Sequence, residues 1–297
     1  MTFFSRLAIC VLLALSAGYG QKAPIPCSQC DAWNQPQAPF RIFGGTYYVG
    51  PHGLSSILIT SSAGHVLIDG ALPESARIIA KNIKSLGFRV EDVKVILNSH
   101  VHFDHAGGLA ELQRLSGARV MASPWSAAVM RKGGVGKGDP QLGVVRGIAA
   151  IRNVHVLHDG EVVRVGDLAI TMHLTAGHTP GGTSWTWKSC EGSVCHDLVY
   201  ADSLRAISAP GFKYSRNHSF PDALADFEKS FSFLETVPCE ILITPHPEIS
   251  GLWDQLNARN AGASDAMVNA SSCRELASRA REQLQRRLKE EQSGKAE

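Results

Sequence analysis

The sequence predicts a mixed α and β fold around a single core, and three observations predict it. Short apolar runs, Val93–Leu97, Ile170–Ala176 and Glu240–Thr244, stop at glycine, histidine or proline, as buried strands do. Between them lie segments with apolar residues at helical spacing, Ile78, Ile79, Ile83 and Leu86 in the first and Leu276, Ala280, Leu284 and Leu288 in the last. The chain of 297 residues is of a size at which one core can still be buried.

Taken in order, residues 1–20 read as a secretory signal peptide. Arg6 supplies the positive region, Leu7–Leu15 the apolar region, and Gly18-Tyr19-Gly20 a small-x-small cleavage site before Gln21. The apolar run is too short to span a membrane and lacks a lipoprotein box, so a periplasmic or secreted, soluble protein is expected. Residues 21–38, with Pro24 and Pro26, form an irregular arm ahead of a domain over 39–292. Strands are expected near Ser55–Ser61 and His65–Asp69, then a helix over Pro73–Leu86 with proline in its first turn. The Val93 strand follows, then a helix from about Gly107 to Leu115, a strand through Val120 and a mobile segment. Four strands fall between Val154 and Trp187, with another at Leu198–Ala201. A helix opens at Pro221 and runs to about Glu235, and a charged helix over Arg274–Gln292 closes the fold, leaving 293–297 frayed.

Charge excludes some functions. Basic and acidic residues, 29 and 27, are well mixed at a formal charge of +2, which leaves no footprint for nucleic acid or a membrane surface. A small-molecule substrate fits better. Beyond Cys10 of the leader, six cysteines remain, Cys27, Cys30, Cys190, Cys195, Cys239 and Cys273, an even number that suits export and disulfides. Spacing pairs Cys190 with Cys195 as a local hairpin clip. Cys27 and Cys30 form a C-x-x-C whose state stays open; no thioredoxin-like strand and helix surround it, and no second C-x-x-C completes a structural zinc site.

Chemistry concentrates in His100-Val101-His102-Phe103-Asp104-His105, four metal-liganding side chains in six residues directly after a rigid strand. Imidazole and carboxylate together favour zinc. Two later strand ends add imidazoles. His178 stands in Gly177-His178-Thr179-Pro180-Gly181-Gly182, and His246 is held stiffly between Pro245 and Pro247.

With these residues in view, the chain resembles the metallo-β-lactamase superfamily and, within it, subclass B3. The resemblance covers about Pro39 to Cys273 and rests on H-x-H-x-D-H at His100–His105, G-H-T-x-G-G at Gly177–Gly182, Y-A-D-S-L at Tyr200–Leu204 and P-H-P at Pro245–Pro247. It implies a four-layer αβ/βα sandwich, two mixed sheets face to face with helices outside. It also implies two zinc ions, one on His100, His102 and His178 and the other on Asp104, His105 and His246. A disulfide between Cys239 and Cys273 is implied as well.

The activity so implied is hydrolysis of the β-lactam amide bond of penicillins, cephalosporins and carbapenems by a metal-bound hydroxide, conferring antibiotic resistance. Asp104 is the expected catalytic residue, ligating one metal and orienting the attacking water. Ser203, Arg205 and Gln141 are the candidate substrate contacts, Gln141 within a glycine-rich candidate lid between Arg131 and Gly147. Arg205 departs from the small hydroxyl residue of several relatives. Asp202 either bridges the metals, as in other hydrolases of the superfamily, or stands aside. Tyr47 and Tyr48 are placed either above the cleft or in sheet packing, His52 lies in a loop able to reach the metals, and Asp69 is read as supporting a ligand or the loop after His105. A monomer is expected. Two alternatives share the residues: a lactone- or thioester-cleaving hydrolase of the same superfamily, and a non-enzymatic zinc-binding protein.

Overall fold

The computed structural model describes residues 25–294; the leader at residues 1–20 lies outside them. A seven-stranded sheet holds β1 (Phe40–Phe43), β2 (Thr46–Tyr48), β3 (Ile57–Ser61), β4 (Gly64–Ile68), β5 (Val93–Leu97), β6 (Arg119–Ala122) and β7 (His155–Val156), side by side in chain order. Pairing is antiparallel from β1 to β4 and parallel from β4 to β7. A five-stranded sheet contains the antiparallel run β8 (Val162–Val165), β9 (Leu168–Leu174), β10 (Thr183–Glu191) and β11 (Val194–Tyr200), with β12 (Ile241–Ile243) parallel to β11 at its edge.

Alternation along the strands divides the core into three apolar layers. Ile57, Ile59, Val66, Ile68, Val95 and Leu97 point from the first sheet toward Ile170, Met172, Trp185, Leu198 and Ile243 of the second, forming the central layer. Their neighbours Leu58, Leu67, Ile96 and Val120 face the other way and pack on α2 (Ala76–Ser85), α4 (Leu109–Ser116) and α5 (Pro124–Lys132). Val199 and Leu242 of the second sheet do the same against α6 (Ala223–Thr236) and α8 (Ser272–Gln292). Strands covered on both faces read as continuous apolar runs, and Val66–Ile68 and Val95–Leu97 are buried throughout. The layers are therefore helix, sheet, sheet, helix.

Several elements differ from the sequence reading. The helix expected from Pro73 begins as a 3-10 turn over Pro73–Ser75 before α2. The one expected from Gly107 is two short pieces, α3 (Phe103–Ala106) and α4, divided at Gly107 and Gly108, where the chain passes so close to Pro73 and Gly70 that no β-carbon fits. The segment expected to be mobile after Val120 contains α5, started by Ser123, whose hydroxyl accepts from the Ser126 N–H, and by Pro124 at the first helical position. Strands β1 and β2 and helices α1 (Cys30–Trp33) and α7 (Leu252–Asn260) were not anticipated.

Three disulfides fasten the periphery. Cys190–Cys195 joins directly paired positions of β10 and β11, and Cys239–Cys273 ties the approach to β12 to the first turn of α8. Cys27–Cys30, left open by the sequence, is closed and opens α1.

Candidate metal centre

β5 ends at Leu97, and the chain beyond it is clamped by both sheets. Asp69 accepts from the Ser99 N–H at 2.7 Å and the Asn98 side-chain amide at 3.0 Å through one oxygen, and from the Ser99 and Tyr200 hydroxyls at 2.6 and 2.7 Å through the other. Across the sheets, the Thr183 N–H donates to the Ser99 carbonyl at 2.8 Å and the Trp185 indole to the Asn98 carbonyl at 3.1 Å. Asp69 thus holds the residues before His100, where the sequence suggested a ligand or the loop after His105. Burial raises its carboxyl above the usual range, against the pull of His105 and the Ser99 hydrogen bonds.

From this fixed point the run fans out. His100 and His102 precede α3, while Asp104 and His105 stand within its single turn, closed by the Ala106 N–H donating to the His102 carbonyl at 2.7 Å. His178 arrives on the turn after β9, where Gly177 has φ of 144° and its Cα lies against the Phe227 ring. His246 follows β12, with the Thr244 hydroxyl donating to its carbonyl at 2.7 Å.

The structure brings six side chains into two clusters. The ring centroids of His100, His102 and His178 lie 4.7 to 4.9 Å apart, and the ligand atoms within each of the sets His100/His102/His178 and Asp104/His105/His246 lie within 4.8 Å of one another. In the second cluster Asp104 Oδ2 is 3.3 Å from His105 Nε2 and 3.5 Å from His246 Nε2. His100 and His105 join the clusters, 4.5 Å between rings.

Each imidazole of the first cluster has one nitrogen already engaged. Asp202 Oδ1 lies 2.7 Å from His100 Nδ1, Asp139 Oδ2 3.0 Å from His102 Nε2, and the Arg205 carbonyl 2.8 Å from His178 Nδ1. That leaves His100 Nε2, His102 Nδ1 and His178 Nε2 as lone-pair donors. His100 Nε2 is fully buried with no hydrogen-bond partner among the described residues, an orphan that a metal ion would satisfy. Protonation is opposed as well. Burial, then repulsion from His105, His102 and His178, lowers His100 well below the usual imidazole value, and burial followed by His102 pushes His178 down to about 3. Neutral imidazole is the metal-binding form. Burial disfavours charge on His102 too, but the Asp139 hydrogen bond outweighs it and raises its pKa. Asp104, despite burial, is held well below the carboxylate range by His105 and His246. The donor set fits two cations with an affinity for nitrogen, and zinc suits its chemistry.

This architecture has known counterparts. A family model described as the metallo-beta-lactamase superfamily matches residues 49–253. The chain belongs to this superfamily. The fold is similar to that of the Rm3 metallo-beta-lactamase at a TM-score of 0.88 and 54% identity, over 90% of this chain and 99% of that one. It is similar also to MEM-A1, a subclass B3 metallo-beta-lactamase from a soil metagenome library, at 0.86 and 50% identity, over 88% and 99% of the two chains. Among curated relatives, a hydroxyacylglutathione hydrolase of Rhodopseudomonas palustris is 30% identical over 152 residues, 48% of this chain and 50% of that protein. The chain spans about half the length of the curated relatives it matches, 53% of the first and 50% of the second.

Within the cleft that the two clusters line, a cavity of about 410 Å³, Gln141 and Arg205 stand beside the histidines, with Trp33, Arg146 and Glu248. Gln141 Nε2 is 3.4 Å from His178 Nε2. Ser203 does not line this cleft; it is buried against a neighbouring cavity. Asp202 belongs to neither cluster: its Oδ1 lies 2.7 Å from the outer nitrogen of His100, and its buried Oδ2 has no hydrogen-bond partner among the described residues. Tyr48 is fully buried in the central core and Tyr47 packs on Phe88, so the wall opposite the histidines is built instead by residues 25–33, with the Trp33 ring 5.2 Å from His246. His52 stacks on Trp253 at 4.5 Å, away from both clusters. Asp139 was missed by the sequence reading; its signal was a carboxylate in Gly138-Asp139-Pro140 within the glycine-rich segment. That segment is pinned rather than free, by Asp139 on His102 and by Gly134 bridged to Ile148.

Proposed function

We propose that the protein is an exported subclass B3 metallo-beta-lactamase that hydrolyses the amide bond of β-lactams at two zinc ions, one on His100, His102 and His178 and one on Asp104, His105 and His246. The observation that carries this is the pair of clusters opening on one cleft, with the outward nitrogen of His100, His102 and His178 already held by the protein. Zinc held there would lower the pKa of water toward neutrality and polarise the scissile carbonyl.

The protein's own groups do the positioning. Asp202, Asp139 and the Arg205 carbonyl each hold a proton on the outer imidazole nitrogen, which fixes the tautomer and aims the other lone pair inward. Asp104, kept ionised, directs Oδ2 to His105 and His246, while Oδ1 has no hydrogen-bond partner among the described residues and is available to take a proton from water in the cleft. The Arg205 guanidinium and the Gln141 amide are suited to hold a substrate carboxylate and carbonyl, and the Trp33 ring offers an apolar wall. Ser203 reaches substrate in this reading only by a side-chain movement into the cleft.

Export by the residue 1–20 leader to the periplasm or beyond is supported by the three disulfides. No helix among the described residues is long and apolar enough to cross a membrane. The catalytic domain is taken as 39–292 and the working form as a monomer, and expression in a susceptible bacterium should raise resistance to β-lactams. Purified mature protein is to be assayed by ultraviolet absorbance on a penicillin, a cephalosporin and a carbapenem, with zinc and after chelation. Zinc-dependent ring opening supports the assignment. A fully metallated protein that turns over none of the three refutes it and directs the search to lactones and thioesters.

A further inference from the structure

Behind the metal cleft lies a second cavity of about 450 Å³, within the range of small-molecule sites. One wall is a stripe of α8, Leu276, Arg279, Ala280, Gln283 and Arg286, spaced so that one helical face looks into it. Its opposite walls are segment Asp202–Arg205 and the pair Thr244–Pro245. Two exposed arginines, Arg279 and Arg286, therefore border a partly apolar space, and Arg205, which also lines the metal cleft, stands between the two cavities. Their charge is poorly compensated. Arg286 has only the exposed Glu282 at 3.7 Å, Arg279 reaches just the Ile249 carbonyl at 3.5 Å, and no carboxylate among the described residues ion-pairs with Arg205.

The walls matter because they are the supports of the metal centre. Segment Asp202–Arg205 carries the carboxylate on His100 and the carbonyl on His178, and Thr244–Pro245 leads directly into His246, whose carbonyl the Thr244 hydroxyl holds. We propose that this cavity is a second ligand site, for a small carboxylate with an aromatic body, and that its occupancy alters the metal centre through these two segments. The ring fills the space between Ile249, Leu276 and Ala280, and the carboxylate meets Arg279 and Arg286. Any coupling is reciprocal: a ligand that changes zinc affinity has its own affinity changed by zinc equally.

The test uses the zinc-loaded mature chain and 2-naphthoate as probe, by isothermal titration calorimetry. One saturable site is expected, with uncharged 2-naphthamide at least about tenfold weaker. Gln283→Trp, which fills the cavity from a half-exposed position, should abolish binding. The exposed pair Arg279→Ala with Arg286→Ala should weaken it about tenfold and serves if the tryptophan variant fails to fold. Acetohydroxamic acid, which chelates zinc in the cleft but has no aromatic body, should leave naphthoate bound. Saturating naphthoate should shift zinc affinity, measured by chelator competition, severalfold. Absence of saturable binding, displacement by acetohydroxamic acid, or indifference to the α8 variants overturns the site. An unchanged zinc affinity overturns the coupling.

Discussion

Replacing Asp139 by alanine leaves the buried His102 imidazole without the carboxylate whose oxygens lie 3.0 and 3.2 Å from its Nε2. The side chain sits in the interior, 3% exposed, so water does not readily substitute for it. A hydrogen bond to a charged acceptor is worth about 1.5–3 kcal/mol. Loss of such an outer partner typically costs 10–100-fold in metal affinity, about 1.4–2.8 kcal/mol, so two independent scales agree. Zinc affinity of the His100/His102/His178 site should therefore fall by about that factor in competition with a chromophoric chelator. Asp139→Asn, which keeps an oxygen acceptor but no charge, should fall between the two. Because Asp139 also accepts from the Gln141 N–H at 2.8 Å, Leu142→Ala is the control: it removes a 52% exposed side chain from the same turn and leaves the carboxylate on His102. Should Asp139→Ala bind zinc as tightly as the parent while its melting temperature drops, the residue merely pins the loop and the reasoning fails.

Other outcomes follow from the same geometry. Gly182→Ala would drive a methyl group into Asp202 Oδ2 and against the Thr175 carbonyl at 2.9 Å, so the variant should lose zinc affinity and about 1–3 kcal/mol of stability; a parent-like denaturation midpoint and zinc affinity would contradict this. Removing the Cys239–Cys273 bridge, which spans 34 residues, should cost about 3–4 kcal/mol in denaturant unfolding on the chain-entropy model, and more than removing the Cys190–Cys195 clip across 5. Glu291 is raised by burial but lowered further by the Ser215 and Tyr214 N–H groups and Arg287, so its folded pKa lies below the ordinary 4.5. A depressed carboxyl contributes stability above the unfolded pKa that is lost as pH falls through the folded one. Between about pH 6 and pH 3 the parent should lose more unfolding free energy than Glu291→Gln; parallel curves would refute the assignment.

Much of the fold was legible because local signals agreed with packing. The apolar run at β5 matched the structure to the residue, since a strand covered on both faces needs no polar positions, and the following histidines belong to one continuous stretch. His178 and His246 were found because each stands at a strand end marked by glycine or proline. The failures have physical causes. Glycine-rich character after Arg131 hid α5, whose start at Ser123–Pro124 lies just upstream, and a helical pattern after His105 concealed the break that contact with Gly70 and Pro73 imposes.

By itself the sequence determined a mixed α and β chain and the six donor side chains, because strand periodicity and strand-end loops are local properties, while the layer pattern and the division of the donors into two clusters followed from the family resemblance. Only the tertiary structure decided what stands behind them. The partners that orient His100, His102 and His178 are 102, 37 and 27 residues away, and one is a backbone carbonyl that no side-chain pattern can reveal. Folding likewise chose Trp33 over Tyr47 and Tyr48 for the cleft wall, and turned Asp202 to the outer nitrogen of His100. Which atoms meet across such separations is set by how the two sheets pack, and packing depends on the whole core at once.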